Sequence, residues 1–534
     1  MDALAWLGLF AASAAAAASV LTRDPRLRAG AMILALLLAP ALVAGDVWDT
    51  ERFRELRDSP AQLAALGAAG LAAIAAAAWL IGRQPMAFPL LAFGTLAFRV
   101  PVELGGETSN LLIPLYLVIA SGAVASLVAA LRGPAAGAHP APPPPADGSR
   151  SRLGRGMQAA TDAVPWLLAA FLVLYAVQSA YSSDLSKATE TVAFFLVPFA
   201  VLFTQLLEVR WNRRILAAVL VLVVAEALAF VVIGLGQYAA RDLFWNPSVI
   251  AGNEVHTYFR VNSVFWDPNV FGRYLVLAIL AAAAYMVWTR RSGRAVAAGV
   301  ACGVLIVGLT LSYSQSSVVA LLAGLVVLIA PRWGTRWALG AGGAAVVAAI
   351  VLALAAGVEP TSERSLEVRS SGRVTLVRGG LELAGDRPAY GYGSGSFQSE
   401  FAERYLEVDE PAGAAISHSE PITVAAEQGA LGVVLYGALV LAGLVALLRA
   451  VPGIPPARSA LVACFVAMIV HSLAYAGFLI DPATWALLGL GLALARVAAP
   501  SVAPEPAGRP AADPRAQGRP SLASPGTSSS SLGS

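Results

Sequence analysis

The sequence predicts an all-α polytopic integral membrane protein. Of its 534 residues, 58% are hydrophobic and only 13% are charged, and the mean hydropathy is +0.70. Soluble domains usually carry about 25% charged residues, which they need to cover their surface. Apolar runs of about 18 to 25 residues recur along the chain, and this length fits the core of a bilayer. Because backbone groups in lipid must be hydrogen-bonded within the segment, runs of this kind form helices.

About fifteen apolar runs are candidate membrane spans, so we expect about 12–15 transmembrane helices. The run 86–98 is short and is typical of a re-entrant or interfacial segment. The candidate spans are 3–20, 29–45, 61–82, 86–98, 111–131, 164–181, 190–208, 215–238, 269–288, 296–311, 316–331, 337–357, 429–449, 459–477 and 483–498.

Arginines in the short loops predict the orientation of the chain. If the spans alternate strictly, the arginine clusters that follow spans 3–20, 111–131 and 269–288 all fall on one side of the membrane. Positive residues favour the cytoplasmic side. We therefore expect an external N-terminus and a cytoplasmic C-terminus, with a long external loop between late helices.

Composition divides the chain into four parts. A segment that contains Pro142-Pro143-Pro144-Pro145 is typical of an extended linker. The C-terminal end is rich in Pro, Ala, Ser and Gly, which favours disorder. The predicted parts are an N-terminal transmembrane region at 1–132, a Pro-rich cytoplasmic linker at 133–162, a second transmembrane region at 163–498 with an external loop at 358–419, and a disordered tail at 499–534.

Charge and cysteine content exclude several classes of protein. The net charge of +3 is too small to indicate a nucleic-acid partner. The two cysteines, Cys302 and Cys464, each lie inside an apolar run, so we expect neither a disulfide framework nor a zinc site. The first run, 3–20, lacks a preceding basic region and favours a first membrane helix over a cleaved signal peptide.

An external segment before span 269–288 carries the first candidate site residues. Asp267-Pro268-Asn269 is a good helix start, because proline suits the first turn and Asp267 can accept hydrogen bonds from free N–H groups. Arg260 lies close to the membrane on the outer face, where positive residues are less favoured. An anionic partner would explain it; the alternative is pairing with lipid headgroups or Glu254.

Two arginines in the long external loop are candidates for phosphate binding. Arg373 and Arg378 lie in a segment, 372–383, whose apolar spacing predicts an amphipathic helix. A guanidinium binds phosphate through two parallel hydrogen bonds and stays charged at any working pH. The alternative is a solvated helix face on which they pair with Glu382 or Asp386.

A glycine-rich turn follows these arginines. It reads Pro388-Ala389-Tyr390-Gly391-Tyr392-Gly393-Ser394-Gly395-Ser396-Phe397. Glycines here either permit tight turns or let backbone N–H groups approach a phosphate.

His418 is the strongest candidate for catalysis. It ends the external loop and begins a predicted helix over 417–429. An imidazole there can act as a general base near neutral pH, and the alternative is a capping or surface histidine. Glu427 lies near the end of that helix, where it either supports the site or is a solvated interfacial acid. His471, near the outer end of a span, is either structural or lines a cavity.

Together these motifs resemble the O-antigen ligase and O-antigen polymerase family of bacterial envelope enzymes, over about residues 165–498. Tyr181-Ser182-Ser183-Asp184 also resembles the family's first external loop. The motifs that carry the resemblance are Phe265-Trp266-Asp267-Pro268-Asn269, Gly372-Arg373, Arg387-Pro388-Ala389-Tyr390-Gly391-Tyr392-Gly393, and His418 followed by Glu427-Gln428-Gly429-Ala430-Leu431-Gly432.

The resemblance implies a membrane-embedded glycosyltransferase of the bacterial inner membrane. Its donor would be a glycan on undecaprenyl pyrophosphate, and its acceptor a hydroxyl of a lipid core or of a growing polysaccharide. The reaction would take place on the outer face and would need no metal and no cofactor. The leaving group is already a stabilised anion, so it requires positive charge rather than protonation.

The resemblance also assigns roles to residues. A histidine at the position of His418 is the base, and arginines like Arg260 and Arg373 hold the pyrophosphate. We group Arg378 with these arginines and treat Asp267, Asn269 and Glu427 as supporting residues.

The chain departs from the family pattern at two places. Ser419 stands where the family usually has asparagine after the histidine, which leaves the acceptor open. The five N-terminal spans and the proline linker are additional, which leaves open a regulatory or partner-binding role.

Three other functions stay open. A transporter or flippase of a lipid-linked or anionic substrate predicts charged residues inside spans, of which Glu226 is the main acidic example. A metal-dependent lipid-sugar transferase would use Asp46 and Asp49. A peptidoglycan-type polymerase would use Asp386. The long external loop favours the ligase-like enzyme over the transporter.

Overall fold

The structure, a computed structural model, is a bundle of long helices with one small β-hairpin. The predicted span 337–357 and the predicted tail lie outside the described residues, as does most of the linker. Within the described part, twelve helices are long and apolar enough to cross a membrane, so the predicted all-α polytopic class is confirmed. The structure describes residues 3–44, 58–104, 107–133, 152–255, 258–334, 336, 340, 373–406, 417–449 and 455–497.

The described residues of the N-terminal region form four long helices and one short one. The run predicted at 86–98 forms only a nine-residue helix, which at 1.5 Å per residue is too short to cross a core of about 30 Å. The elements are α1 (Ala3–Leu21), α2 (Pro25–Leu42), α3 (Pro60–Arg83), α4 (Ala87–Thr95), the antiparallel strands β1 (Val100–Leu104) and β2 (Glu107–Leu111), and α5 (Ile113–Arg132).

The middle of the chain is helical nearly throughout. The sixth helix begins at Arg152, so residues 152–162 of the predicted linker are helical rather than extended. A π-helical turn, Val192–Leu196, joins the seventh and eighth helices. The elements are α6 (Arg152–Gln178), α7 (Leu185–Thr191), α8 (Val197–Glu208), α9 (Arg213–Ala240), α10 (Pro247–Val255), α11 (Pro268–Trp288), α12 (Ser292–Ser312) and α13 (Gln315–Trp333).

The described residues after 340 form five further helices. The first two lie within the predicted external loop, and the other three correspond to the last three predicted spans. They are α14 (Arg373–Asp386), α15 (Phe397–Tyr405), α16 (Glu420–Arg449), α17 (Pro455–Ser472) and α18 (Pro482–Val497).

The N-terminal helices share a core with the later ones. Leu9 of α1 and Met32 of α2 are fully buried in the cluster that also contains Trp485 of α18. The indole of Trp6 donates a hydrogen bond to the carbonyl of Ala176 at 3.0 Å. Residues 1–498 accordingly form one compact unit, with the N-terminal spans packed into it.

Small residues let helices approach closely, and we expect such contacts at the alanine-rich runs 14–18, 75–78 and 281–284. In the first and third runs, Ala16 and Ala284 are buried at 0% and 1% exposure. The run at 75–78 differs, because α3 is mostly exposed along its length. Gly308 of α12 faces α9 so closely that an added Cβ would lie 2.4 Å from Val231 Cγ2.

We expect Gly308→Ala to destabilise the protein, because a β-branched valine cannot move away cheaply. Overpacking of this kind costs about 1–3 kcal/mol. Thermal unfolding of the detergent-solubilised protein measures the effect. Gly303→Ala on the same helix is the matched control, since an added Cβ there meets nothing within 4 Å. Equal midpoints for the two variants would contradict the packing argument.

Candidate active site

The loop between α17 and α18 gathers several polar side chains around Tyr475. The Tyr475 ring lies 5.8 Å from the ring of His418 and 5.7 Å from the ring of His471. The guanidinium carbon of Arg273 lies 5.9 Å from the same ring. The fold thus places the predicted base, His418, and a buried arginine that the sequence reasoning missed around the ring of one tyrosine. We call this side of the bundle, where α16 begins, the His418 end.

Glu420 holds that loop in place. Its Oε2 accepts hydrogen bonds from the backbone N–H of Gly477 at 2.7 Å and of Phe478 at 3.2 Å. Its Oε1 accepts from Leu479 N–H at 3.4 Å. Glu420 lies two residues after His418, so one short segment carries the imidazole and fixes the loop that presents Tyr475.

Tyr475 also connects the loop to the start of α11. Burial raises the pKa of Tyr475, and the nearby Asp267 carboxylate raises it further. The phenol therefore stays protonated beside that carboxylate. Asp267 caps α11 by accepting from Asn269 N–H, which confirms the helix start predicted from Asp-Pro-Asn.

Arg260 lies against the same helix start. Its Nε donates to the Ser312 carbonyl at 3.1 Å, and its Nη2 donates to Asn269 Oδ1 at 3.4 Å. The Asn253 side chain fixes the backbone of Arg260, accepting from its N–H at 2.9 Å and donating to its carbonyl at 3.0 Å. Two predicted site residues, Arg260 and Asn269, are therefore in contact.

Serine side chains connect this pair to the histidine cluster. Ser317 Oγ donates to the Asn269 carbonyl at 3.5 Å. His471 Nε2 lies 3.2 Å from Ser317 Oγ and 3.3 Å from Ser316 Oγ. A continuous series of contacts therefore runs from Arg260 through Asn269, Ser317, His471 and Tyr475 to His418.

Glu427 anchors the glycine-rich turn. It is 8% exposed, and it accepts from Gly395 N–H at 2.9 Å and Phe397 N–H at 3.2 Å. Gly391 and Gly429 have φ of 68° and 62°, and an added Cβ at either would lie within 2.5 Å of backbone atoms of the other segment. The turn and α16 interlock at these glycines. Because most of the turn's N–H groups donate to protein acceptors, the tight-turn interpretation accounts for the glycines.

The arginines of the long loop lie on α14. The predicted amphipathic helix is confirmed: Leu376 and Leu383 are buried. Arg373 is the first residue of α14, and its side chain lies outside the described part of the structure. The Arg378 side chain is 83% exposed, and its Nε lies 3.3 Å from Glu382 Oε1.

A buried charge cluster lies beside Tyr475. Arg273 Nη2 lies 2.6 Å from Asp481 Oδ2, and Arg99 Nη2 lies 3.6 Å from the same oxygen. Both acid and base are expensive to bury, so such groups inside spans often mark functional sites. Arg273 interrupts an apolar run, a signal by which the sequence could have identified it. Arg99 and Asp481 are brought to it only by the fold.

The residues of the alternative functions have local partners. Glu226 Oε2 accepts from the hydroxyl of Tyr274 at 3.0 Å. Asp386 forms an ion pair with Arg404. Asp46 and Asp49 lie outside the described residues. In the part of the chain that the structure describes, no group of three or more His, Cys, Asp or Glu side chains is arranged to hold a metal ion.

The fold and this site define a multi-pass helical membrane protein with a polar site at one end of the bundle. Residues 301–437, about a quarter of the chain, match the family model described as O-antigen ligase. This match confirms the resemblance of that part of the chain to the O-antigen ligase and polymerase family. The match includes His418, Glu420, Glu427 and the glycine-rich turn. A search among curated proteins finds no significant match to the chain.

The match to residues 301–437 supports a general activity for this protein, that of a glycosyltransferase-type enzyme of the ligase or polymerase kind. Enzymes of that family act on lipid-linked glycans and acceptors in bacterial membranes. The twelve apolar helices agree with a multi-pass membrane location.

We expect Glu420→Gln to lower both stability and activity. A glutamine side chain has only one acceptor oxygen, so its NH₂ would face at least one of the three loop N–H groups. A buried donor left unsatisfied costs about 1–3 kcal/mol. The measurements are thermal unfolding in detergent and glycan transfer. Glu403→Gln, at an exposed position of α15, is the control; equal behaviour of the two variants would refute the role assigned to Glu420.

Proposed function

We propose that the protein transfers a glycan from undecaprenyl pyrophosphate to an acceptor hydroxyl at the His418 end of the bundle. The observation that carries the proposal is the series of contacts that links Arg260 to His418 through Asn269, His471 and Tyr475. The O-antigen ligase domain over residues 301–437 supports the same reaction.

The chemistry divides between a base and cations. The His418 imidazole removes the proton of the acceptor hydroxyl as its oxygen attacks the anomeric carbon of the donor sugar. The bond from that carbon to the pyrophosphate oxygen breaks, and undecaprenyl pyrophosphate leaves as an anion. The proton remains on His418 until it is released to water. The reaction balances without a metal or a redox partner.

Arg260 is the cation best supported by its surroundings. It is held at the end of α11 by Ser312, Asn269 and Asn253, so its guanidinium is preorganised for a developing negative charge. Arg373 and Arg378 remain predicted pyrophosphate ligands from the long loop. Asp267, Asn269 and Glu427 are assigned supporting roles, because each fixes the backbone or side chain of a neighbour.

The proposed orientation places the His418 end outside the cytoplasm. The arginine clusters of the short loops favour the opposite end as the cytoplasmic one. The reaction then takes place on the outer face of the inner membrane, with an external N-terminus and a cytoplasmic C-terminus.

We expect His418→Ala to reduce release of undecaprenyl pyrophosphate by about 100-fold or more, because loss of a general base costs about 10²–10⁴ in rate. The assay uses purified protein, a lipid-linked glycan and a panel of sugar and lipid acceptors, with and without EDTA. His139→Ala, in the proline-rich segment, is the control.

The outcomes separate the alternatives. Release that resists EDTA and requires His418 supports the proposal, and the acceptor consumed distinguishes ligase from polymerase. Release that EDTA abolishes favours the metal-dependent transferase. Release that is unchanged in His418→Ala would show that another residue is the base. Movement of the lipid across vesicles without any release favours the flippase.

We further expect Arg260→Gln to lower kcat by about 10²-fold or more, since it removes a preorganised charge that faces the leaving group. The effect on kcat separates this role from simple substrate binding, which would raise KM alone. Arg373→Gln and Arg378→Gln, measured in the same assay, test the two loop arginines. Full activity of Arg260→Gln would refute its assignment.

A further inference from the structure

A long groove of about 890 Å³ lies between α4, α9, α11, α17 and α18. One stripe of α11 forms its floor, with residues three or four positions apart along the helix. Away from its two ends the lining is apolar. The stripe consists of Val270, Arg273, Leu277, Ala281, Tyr285 and Trp288.

The groove is as long as a bilayer core is thick. From Val270 to Trp288 the helix rises about 27 Å at 1.5 Å per residue, close to the core thickness of about 30 Å. An acyl chain of a phospholipid occupies one leaflet, about half of that thickness. A groove that continues through both leaflets therefore suits a longer hydrocarbon chain.

Among the described residues that line the His418 end of the groove, positive charge exceeds negative charge. Arg99 and Arg273 both line it and share one carboxylate oxygen, Asp481 Oδ2, at 3.6 and 2.6 Å. Arg99 Nε is buried and has no hydrogen-bond partner among the described residues. Asp481 Oδ1 accepts from Ala483 N–H at 2.8 Å, so this acid is already fully engaged. An anion would supply what the cluster lacks.

This end of the groove adjoins the proposed active site. Arg273 lies one turn beyond Asn269 on α11, and Asn269 contacts Arg260. One turn of helix is about 5.4 Å. Arg273 also lies over Tyr475, which contacts His418. An anion with two linked phosphates can therefore meet Arg260 on one side and Arg273 with Arg99 on the other.

We propose that the groove holds the polyprenyl chain of the donor lipid, with Arg99 and Arg273 binding its diphosphate from the chain side. This inference rests on the proposed transferase function and adds its lipid-binding site. It also gives the N-terminal region a role in substrate binding, because Arg99 follows α4. A purely structural ion pair would need one arginine for Asp481, not two.

Binding of undecaprenyl pyrophosphate to the purified full-length protein tests the inference, with no glycan or acceptor present. Native mass spectrometry in detergent gives the bound fraction across a titration. We expect Arg99→Gln and Ala281→Phe, which fills the middle of the groove, each to weaken binding about 10-fold or more. The matched controls are Arg26→Gln and Ala297→Phe, at exposed positions of α2 and α12 outside the groove. Thermal unfolding checks that each variant folds.

Two results would overturn the inference. One is binding by both groove variants that equals the wild type. The other is phosphatidylglycerol displacing the polyprenyl lipid at equal concentration, which would make the groove a phospholipid site. Binding and transfer are measured separately, so the two proposals can fail separately. If the wild type transfers glycan but the groove variants bind the lipid as the wild type does, the groove is not the lipid site and the transferase function is retained. A wild type that binds through the groove but transfers nothing would leave the lipid site and refute the reaction.

Discussion

Three backbone N–H groups of one loop end on a single carboxylate, that of Glu420. The loop carries Tyr475, which contacts His418, and it leads to Asp481, which pairs with Arg273 and Arg99. Charge-assisted hydrogen bonds to N–H groups are about twice as strong as neutral ones, and they offset the cost of burying Glu420. If that carboxylate lost its three donors, the loop would no longer be fixed. Tyr475 would then lose its position beside His418, and Asp481 would lose its position beside Arg273 and Arg99.

A second buried carboxylate on the same helix, that of Glu427, fixes a second loop. Glu427 lies two turns after Glu420 and accepts the N–H groups of Gly395 and Phe397. It therefore fixes the long loop against α16 as Glu420 fixes the loop before α18. The first turns of α16 thus follow directly after the candidate base and hold both loops in place. The kink at Gly429 admits the backbone of the glycine-rich turn, which a side chain at that position would block.

Arg273 lies where the polar site meets the apolar groove. One face of α11 begins at Asp267 and Asn269 in the polar site and continues through Arg273 into the long apolar groove. The lipid donor that we propose, with a charged head and a hydrocarbon tail, would require such a surface, polar for one turn and apolar for the rest. Arg273 can be buried because the negative charge of Asp481 compensates its positive charge. The positive charge of Arg99 is then in excess, and in our proposal the anionic head of the lipid compensates it.

The sequence by itself determined the fold class, most of the spans and the resemblance to the O-antigen ligase family, because long apolar runs in lipid can only be helices and because each motif that carries the resemblance is a short run of neighbouring residues. It also identified Asp267 as a helix cap, since capping depends on neighbours two or three residues away. Tertiary structure decided which of the charged residues meet. Arg99, Arg273 and the loop that carries both Tyr475 and Asp481 come from three separate parts of the chain, and no local pattern records that helix packing brings them to one point. Tertiary structure also decided that Arg378 lies on a solvated helix face and that most N–H groups of the glycine-rich turn donate hydrogen bonds within the protein. The physical reason is that periodicity reports which face of a helix is apolar, whereas the partner of a buried charge depends on how distant helices pack.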